Sequence, residues 1–363
     1  MNVRDSDFGP RALIDSAALK HNLGVVRSCA PQSKVMAVVK ANAYGHGIVP
    51  TARALSGADA FGVARLAEGL ALRTAGLAHP VVLLEGVFTR DEVDAAAAHR
   101  LDIVIHSWEQ IDLLEAWRGS RPLKAWLKVD TGMNRLGFRS EEFPAALQRV
   151  RAIPVLRDAP RLMTHLACAD VVGDTRTTVQ IAKFRNIADE LGLERSIGNS
   201  AGLLAWPDAR AEWVRPGLML YGIAPFPKQI GSELGLRPAM TLSTRLIAIR
   251  RVAAGEEVGY GGMWRAERDL RVGIAAIGYG DGYPRQVGSG SPVLVEGREL
   301  TIAGRVSMDM IAIYLDESSD AKVGSVVTLW GGALAVEKVA DCAGTLPYEL
   351  VCGISQRVGV DYV

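Results

Sequence analysis

The sequence predicts a (β/α)8 barrel, followed by a smaller and mostly β domain. Eight short apolar segments alternate with helical segments in the first two thirds of the chain, at intervals of about 20 to 35 residues, the size of a strand–helix repeat. From about Leu236 helical periodicity almost disappears, and apolar runs are separated by glycine-containing turns. We therefore expect a barrel over residues 1–234 and a β-rich domain over residues 235–363.

The barrel elements follow from the spacing of apolar residues. A first strand over residues 12–15 precedes a helix that Ser16 caps and that Leu19, Leu23 and Val26 line on one face. The eight barrel strands are predicted at residues 35–39, 60–64, 81–84, 101–105, 123–129, 161–164, 196–199 and 218–220. The helices between them are predicted at residues 49–55, 66–74, 90–99, 108–117, 141–150 and 177–191. A doubly wound sheet is the alternative, but no G-x-G-x-x-G motif follows an early strand.

The second domain reads as consecutive strands. They are predicted at residues 240–252, 271–277, 291–295, 300–303, 310–315 and 325–329, with one helix over residues 336–342. In the barrel, the active site is expected at the carboxyl ends of the strands, where Lys40, Asp130, His165 and Asn199 fall.

Composition excludes several classes of protein. The 363 residues are 49% hydrophobic and carry a net charge of +1, which argues against a nucleic-acid or polybasic membrane surface. The cysteines show no C-x-x-C pattern, so we expect reduced thiols in the cytoplasm and neither disulfides nor a metal site. Residues 1–7 are too charged for a signal peptide, and no segment is long enough for a membrane helix.

Lys40 is the first candidate for chemistry. It follows the apolar run over residues 35–39 and precedes the glycine-containing turn at Gly45 and Gly47. We expect Lys40 at a buried strand end, and burial of an unpaired lysine favours the neutral amine, a nucleophile commonly used to form Schiff bases. The alternative is a lysine whose stem covers the sheet rim while its amine stays in water. Tyr44 adds a nearby hydroxyl group.

Residues 38–47, Val-Val-Lys-Ala-Asn-Ala-Tyr-Gly-His-Gly, closely resemble the pyridoxal-phosphate (PLP) attachment segment of bacterial alanine racemases. The resemblance extends in matching order and spacing from about Arg11 to about Arg357. It implies a PLP-dependent isomerase that interconverts L- and D-alanine by a two-base mechanism, with Lys40 as the attachment residue. It also implies a head-to-tail homodimer with shared active sites. The D-alanine would serve as a peptidoglycan precursor, and L-alanine catabolism is the alternative role.

The segment over residues 128–137 follows the fifth barrel strand and carries Arg135 on a glycine-containing loop. An arginine there can hold a carboxylate through two hydrogen bonds, although a surface salt bridge is an equal alternative. The resemblance implies that Arg135 contacts the phenolic oxygen of the cofactor and the substrate carboxylate. It also implies that Lys128 is carbamylated, which would turn a cation into an anion that pairs with Arg135.

Three further segments of the barrel carry polar residues at strand ends. Without the resemblance, His165 is interpreted as a core histidine, and Asn199 and Ser200 are interpreted as a capped turn. Arg215 is interpreted as a fixed cation beside a glycine. The resemblance implies that Tyr44, Ser200 and the amides of Gly217 and Leu218 hold the PLP phosphate, with Asn199 beside them. His165 would then bridge between Arg215 and the catalytic tyrosine.

Arg215 bears on the type of reaction, because the resemblance places it against the pyridine nitrogen. Two adjacent cations repel, so the ring nitrogen would stay unprotonated and the cofactor would be a weaker electron sink. A weaker electron sink would restrain transamination. The related barrel-fold decarboxylases have a carboxylate at this point, so Arg215 argues against decarboxylation.

In the β domain, Tyr260 lies between glycines and reads by itself as a turn tyrosine. The resemblance makes it the second catalytic base, acting in the barrel of the other subunit, where its phenol needs assistance to lose its proton. The Met308 amide would meet the substrate carboxylate. Five residues would line the entrance to the site: Asp170, Tyr279, Arg285, Arg305 and Ile354.

One position departs from the family pattern. Many relatives have a tyrosine in the last strand that contacts the phosphate, and Gln356 stands there in this chain. Substrate breadth is therefore open, and a broad-specificity or serine racemase is the alternative enzyme. A non-catalytic PLP-binding protein is the alternative from another class, but such proteins are lone barrels without a domain that carries a residue like Tyr260.

Overall fold

The computed structural model describes residues 8–156 and 158–363 and divides into two compact units. One unit, the barrel unit, comprises Leu19–Leu220 and Pro225–Pro227. The other, the β unit, comprises the described residues up to Ala18, Tyr221–Ala224 and Lys228–Val363. The charged residues 1–7, used above against a signal peptide, lie outside the described part of the chain.

The elements alternate between strand and helix up to Val214 and then become consecutive strands. The strands are β1 (Arg11–Ile14), β2 (Lys34–Val38), β3 (Ala60–Val63), β4 (Val81–Leu83), β5 (Asp102–Ile105), β6 (Ala125–Lys128), β7 (Arg161–Met163), β8 (Arg195–Ser196), β9 (Trp213–Val214), β10 (Met240–Val252), β11 (Glu257–Val258), β12 (Trp264–Arg265), β13 (Leu270–Ala275), β14 (Pro292–Val295), β15 (Arg298–Ile302), β16 (Ile311–Leu315), β17 (Val326–Trp330) and β18 (Gly359–Tyr362). The helices are α1 (Ser16–Cys29), α2 (Ile48–Ala54), α3 (Leu66–Thr74), α4 (Arg90–Ala98), α5 (Trp108–Ala116), α6 (Phe143–Ala152), α7 (Thr175–Ala188), α8 (Ser200–Ala205), α9 (Val336–Ala343) and α10 (Pro347–Cys352). Short 3-10 turns lie at Asp189–Leu191, Pro207–Ala209, Leu218–Tyr221, Gly231–Leu234, Tyr260–Gly262 and Tyr279–Asp281.

Strands β2 to β9 form a closed parallel barrel, with each strand paired to the next and β9 paired back to β2. Apart from the first residues of β2, β7 and β8, their residues are buried on both faces because side chains fill the barrel and helices cover its outside. A cluster of buried residues fills one layer of the interior: Met36, Ala60, Val82, Val104, Trp126, Met163 and Trp213. The predicted barrel class is confirmed.

The position of the eighth barrel strand differs from the prediction. Residues 218–220 were expected to form it, but this segment is part of a 3-10 turn, and β9 at Trp213–Val214 closes the barrel instead. The Pro216 carbonyl accepts a hydrogen bond from the Val38 amide, and Pro216 itself has no amide proton for a strand ladder. The strand therefore ends before Pro216, and Arg215 stands at its carboxyl end.

The β unit contains an eight-stranded sheet in the order β13-β16-β15-β14-β17-β10-β1-β18, and a separate hairpin of β11 and β12. The long strand β10 pairs with β1, β17 and β13, with one register shift within its pairing to β17 and one within its pairing to β13. Strand β1 also lies parallel to β18. The first strand thus belongs to the β unit, whereas the expected division at residue 234 placed it with the barrel. No helix in the described ranges is long and apolar enough to cross a membrane.

Candidate active site

The carboxyl ends of the barrel strands bring together the polar residues singled out above. Lys40 lies two residues beyond β2, His165 two residues beyond β7, and Arg215 directly follows β9. Lys128 is the last residue of β6. Because all eight strands are parallel, these residues lie at one mouth of the barrel, which is where barrel enzymes place their chemistry.

Lys40 is exposed at this mouth, and the expectation of a buried lysine is wrong. The buried run ends with Val38 and Val39, of which only Val38 belongs to β2. The chain then leaves the barrel wall, so the lysine side chain is exposed and open to a ligand.

A left-handed turn follows Lys40. Ala41, Asn42, Ala43 and Tyr44 all have φ between 52° and 55°, although none of them is glycine. A non-glycine residue in this region costs roughly 1–2 kcal/mol, so four in succession store strain that surrounding contacts must offset. The Asn42 side chain accepts a hydrogen bond from the Ile48 amide at 2.9 Å, and the Ala43 amide donates to the Val39 carbonyl at 2.9 Å.

Glu68 on α3 attaches this turn to the neighbouring strand end. One carboxylate oxygen accepts from the Ala41 amide at 2.7 Å, and the other accepts from the amides of Ala64 and Arg65 at 2.8 and 3.2 Å. Hydrogen bonds to a carboxylate are stronger than those between neutral groups. Glu68 therefore supports the residue directly after Lys40, whereas the sequence pattern predicts only that Glu68 belongs to a helix.

Ser200, Gly217 and Tyr44 lie close together at this mouth, in a place suited to a phosphate. The buried Ser200 hydroxyl accepts from the amides of Gly217 and Met219 at 3.0 and 3.4 Å, which leaves its own proton to be donated. A Cβ at Gly217 would lie 2.6 Å from the Tyr44 hydroxyl oxygen, so only glycine allows this approach. Leu218 follows at the start of the 3-10 turn. These hydroxyl and amide donors fit the chemistry of a PLP phosphate.

Asn199 has a structural contact next to this place. Its side chain accepts from the Gly202 amide at 2.9 Å and thereby caps α8, which begins at Ser200. Asn199 thus orients the segment that presents Ser200.

The buried Arg215 and the half-buried His165 form a pair at this mouth. The Arg215 guanidinium donates to the Ser196 hydroxyl at 2.6 Å, to the Thr164 carbonyl, and to Nδ1 of His165 at 3.4 Å. Within the described residues Arg215 has no carboxylate partner, and burial lowers its pKa to about 10. Burial and the charge of Arg215 also hold the pKa of His165 well below its usual value, so the imidazole is neutral at neutral pH.

Lys128 is buried among cations. Burial, followed by the charges of Arg215, Arg135 and Lys40, lowers its pKa to about 8. Arg135 is exposed at the end of a loop that Asp130 organises, since the Asp130 carboxylate accepts from three successive amides, those of residues 132–134. The structure therefore places a readily neutralised lysine close to the arginine expected to bind the substrate carboxylate.

Gln180 joins the two loops that carry Arg135 and His165, a role that its sequence context does not predict. Its amide donates to the Thr131 hydroxyl at 3.3 Å and to the His165 carbonyl at 3.1 Å, and it accepts from the Ala167 amide at 2.9 Å. Thr131 also contacts the Thr164 hydroxyl at 2.8 Å. A lone glutamine within α7 gives no local signal, because its partners lie on other segments of the chain.

Gln110 on α5 forms an equivalent clamp between two other loops. It accepts from the His106 amide at 2.8 Å and donates to the carbonyls of Glu85 and Val87 at 3.1 and 3.3 Å. Gln110 and Gln180 are 2% and 3% exposed, respectively. The two clamps differ in that only the one formed by Gln180 touches loops with predicted site residues.

In the β unit, Tyr260 is 71% exposed. It begins a 3-10 turn between Gly259 and Gly261, which have φ of 77° and 74°. Met308 is also exposed. Four of the expected entrance residues belong to the β unit: Tyr279, Arg285 and Arg305 are exposed, and Ile354 is half-buried. The fifth, Asp170, belongs to the barrel unit and is exposed. Gln356, in the β unit, is also exposed.

The described residues contain no cluster of histidine, cysteine or carboxylate side chains that would hold a metal ion.

Both parts of the chain match family models. The model "Alanine racemase, N-terminal domain" matches residues 14–225, and "Alanine racemase, C-terminal domain" matches residues 239–362. The chain belongs to the alanine racemase family. The resemblance seen in residues 38–47 is therefore confirmed over nearly the whole sequence.

Individual members of the family are similar over their full length. The alanine racemase of Nitrosococcus oceani is 51% identical over 349 residues, which cover 96% of this chain and 98% of that protein. The alanine racemase of Aeromonas hydrophila is 49% identical over 352 residues, 97% of this chain and 99% of that protein. The crystal structure of biosynthetic alanine racemase from Pseudomonas aeruginosa has a TM-score of 0.94 at 44% identity, covering 98% of this chain and 100% of that one.

Family membership identifies the enzyme class. Interconversion of L- and D-alanine is the activity of alanine racemases, which are isomerases. The alternative of a lone PLP-binding barrel is excluded, because residues 239–362 match the second domain of the family.

Proposed function

We propose that this chain racemises alanine with PLP attached to Lys40, in a head-to-tail homodimer that completes each barrel mouth with Tyr260 of a second copy. The observation that carries the proposal is the arrangement, at one mouth of the barrel, of Lys40, the Ser200–Gly217 contact and an Arg215 guanidinium that no carboxylate of the described residues neutralises. When bound, PLP supplies an electron sink that acidifies the Cα proton of the substrate.

The cofactor phosphate would lie between the hydroxyls of Tyr44 and Ser200 and the amides of Gly217 and Leu218. The Ser200 proton supports this placement, since both of the hydrogen bonds that this hydroxyl makes to amides use it as an acceptor. Asn199 would keep Ser200 in place through its cap on α8. This set of donors is uncharged, so it orients a phosphate mainly through hydrogen bonds.

Arg215 would set the electronic character of the cofactor. Its positive charge is not balanced by a carboxylate of the described residues, so a second positive charge beside it is unfavourable. A pyridine nitrogen in contact with Arg215 would remain unprotonated. The substrate carbanion would then be less delocalised into the ring, and reprotonation at Cα would be preferred over transamination.

Two bases would act on opposite faces of the substrate Cα. Lys40 would hold or release a proton on one face, and Tyr260 would do so on the other. Racemisation by one base would require it to move around a planar centre, whereas two fixed groups avoid that movement. The exposure of Tyr260 supports a role outside its own unit.

His165 would assist the phenol of Tyr260. The neutral imidazole receives a hydrogen bond from Arg215 at Nδ1, so its proton lies on Nε2 and can be donated to a phenolate. A phenol normally loses its proton near pH 10, so a donor of this kind is needed for acid–base work at neutral pH. The Arg135 side chain and the Met308 amide would hold the substrate carboxylate.

We also propose that the enzyme works in the cytoplasm. Its four cysteines form no disulfide, which suits a reducing compartment. The presence of protein in the cytoplasmic rather than the periplasmic fraction of a producing cell tests this assignment.

Mixing two inactive variants tests the shared site. Lys40→Ala and Tyr260→Phe should each lose nearly all activity, and activity should return when they are mixed under conditions that exchange subunits. The reason is that one of the two sites in a mixed dimer keeps both wild-type bases. Heterodimers without any recovered activity would contradict the proposal. Borohydride reduction and peptide mapping of the wild-type protein should separately place the cofactor on Lys40.

A further inference from the structure

A cavity of about 900 Å³ opens at the amino-terminal end of the barrel, opposite the Lys40 mouth. Five strands contribute their first residue to its wall, namely Lys34, Ala60, Asp102, Arg161 and Trp213. A volume of this size is within the range of small-molecule sites. No residue proposed for alanine racemisation lines it.

Two tryptophans and an arginine form the floor of this cavity. Trp126 and Trp213 pack edge to face with ring centroids 5.5 Å apart. The Arg161 guanidinium lies 5.4 Å and 5.5 Å from the same two centroids and is held by Glu194 at 2.6 Å. The two rings are buried, so the half-buried Arg161 guanidinium that lies over them presents the flat surface on which another flat group can stack.

The charges on the wall do not balance, since five cationic and three acidic side chains line the cavity. The acids have partners: Arg27 for Asp59, Arg161 for Asp102, and Lys124 for Asp158. The excess positive charge comes from two arginines, described next.

Arg73 and Arg100 carry the unbalanced charge. The Arg73 guanidinium donates only to main-chain carbonyls, among them those of Leu77 and His79 at 2.8 Å, and it has no carboxylate partner in the described chain. The exposed Arg100 side chain makes no hydrogen bond or ion pair with the described residues. This side of the cavity is therefore complementary to an anion.

We propose that the cavity binds a small organic anion with a flat apolar body. The flat part would lie against the tryptophan–arginine floor, and the anionic group would face Arg73 and Arg100. The site is separate from the catalytic mouth and does not depend on the mechanism proposed there.

Asp102 would couple this binding to pH. The side chain is buried, and burial raises its pKa to about 6, against the opposing charges of Arg161, Lys124 and Arg73 and with a further increase from Asp158. An anion beside Asp102 repels its carboxylate and favours the neutral acid. Binding should therefore take up a proton, and affinity should rise as the pH falls from above neutrality towards about 6 and level off below it.

Calorimetric titration of the holoenzyme with 2-naphthoate tests the proposal, with 2-naphthamide as the uncharged probe of the same shape. We expect saturable naphthoate binding that is several-fold tighter than naphthamide binding and that weakens several-fold in Arg100→Gln. Arg100 is exposed, so this substitution is not expected to disturb folding. Because the catalytic mouth also binds carboxylates, Arg135→Gln serves as the control and should leave this binding unchanged.

The pH dependence gives a second, independent measurement. Affinity should rise by up to about tenfold per pH unit on the acid side of neutrality in the wild type. Asp102→Asn should bind more tightly at pH 7.5 and lose that slope, while Asp158→Asn, which changes an exposed acid of the same wall, should keep it. Absence of saturable binding, equal binding of the two probes, loss in Arg135→Gln only, or an unchanged slope in Asp102→Asn would each overturn the proposal.

Discussion

The Arg215 guanidinium lies 3.4 Å from Nδ1 of His165, and this contact defines the tautomer of the histidine. A guanidinium can only donate, so Nδ1 must accept and the ring proton must lie on Nε2. The low pKa of His165 keeps the ring in this neutral form. A single arginine thus acts on two groups: it faces the expected position of the pyridine nitrogen and orients the donor expected to assist Tyr260.

Replacing Arg215 should change the type of reaction as well as its rate. In Arg215→Glu a carboxylate would favour a protonated ring nitrogen and a stronger electron sink. Racemisation should fall by roughly 10²-fold or more, and the ratio of keto acid to D-alanine among the products should rise. Chiral chromatography and a keto-acid assay measure both. Arg215→Lys keeps the charge, so an equal rise in keto acid there would contradict the charge argument.

Lys128 should carry a carbamate in the active enzyme. Its pKa of about 8 leaves part of the amine neutral near neutral pH, and the surrounding cations would stabilise an anion in its place. A carbon-13 resonance of a carbamate should appear in protein equilibrated with labelled bicarbonate and disappear in Lys128→Ala. That variant should show a KM for alanine raised by about tenfold, partly restored by chloride or acetate. An unlabelled Lys128 with normal kinetics in Lys128→Ala would contradict this prediction.

Gly217→Ala should weaken cofactor binding. The added Cβ would approach the Tyr44 hydroxyl oxygen to 2.6 Å and force apart the groups expected to hold the phosphate. We expect apoenzyme titrated with PLP, followed by absorbance, to show an affinity lower by about tenfold or more. The matched control is Gly24→Ala in α1, where no atom lies within 4 Å of the added methyl group and stability should rise by up to about 1 kcal/mol.

Gln180→Met should impair substrate binding more than cofactor binding. The substitution keeps the volume but removes the hydrogen bonds to Thr131 and His165, so the Arg135 loop would lose its support. We expect a several-fold increase in the KM for alanine, with the Tm lowered by the loss of buried hydrogen bonds. Gln110→Met removes an equivalent buried clamp and should lower the Tm similarly with little change in KM. If the two variants raise the KM for alanine equally, the role of Gln180 is only to stabilise the fold.

His46 should make the enzyme sensitive to acid. It is completely buried, and burial lowers its pKa from 6.5 to about 4. Because the unfolded chain binds this proton at a higher pH than the folded one, stability is full above pH 6.5 and is lost as the pH falls towards 4, by up to about 3 kcal/mol. Urea unfolding at several pH values measures the slope. His46→Gln should reduce the slope over this range, and an unchanged slope would assign it to other groups.

Local patterns in the sequence were enough to predict much of the fold. Apolar runs at the spacing of a strand–helix repeat predicted the barrel, and the predicted helix over residues 66–74 has the bounds of α3. Strand β10 likewise coincides with the predicted residues 240–252. These signals are local, because the spacing of apolar residues that marks a strand or a helix lies within the segment that forms it. The ten residues around Lys40 also identified the family, which the comparisons confirm.

Pairing between distant segments was decided only by the tertiary structure. Strand β1 was predicted as a strand, but its place between β10 and β18 depends on residues more than 200 positions away. In the same way, β9 rather than residues 218–220 closes the barrel, because Trp213 and Val214 pair with β2 and Pro216 has no amide proton to extend the strand. A short apolar run does not encode which partner it will meet.

For the candidate site, too, the sequence determined some features and the tertiary structure decided the others. The sequence determined which residue types stand at the strand ends, including Lys40, Arg135, His165 and Arg215. Only the tertiary structure showed that Lys40 is exposed and that Gln180 clamps the surrounding loops. Burial and hydrogen bonding are properties of the neighbourhood, and a neighbourhood assembled from eight separate strand ends exists only after the chain has folded.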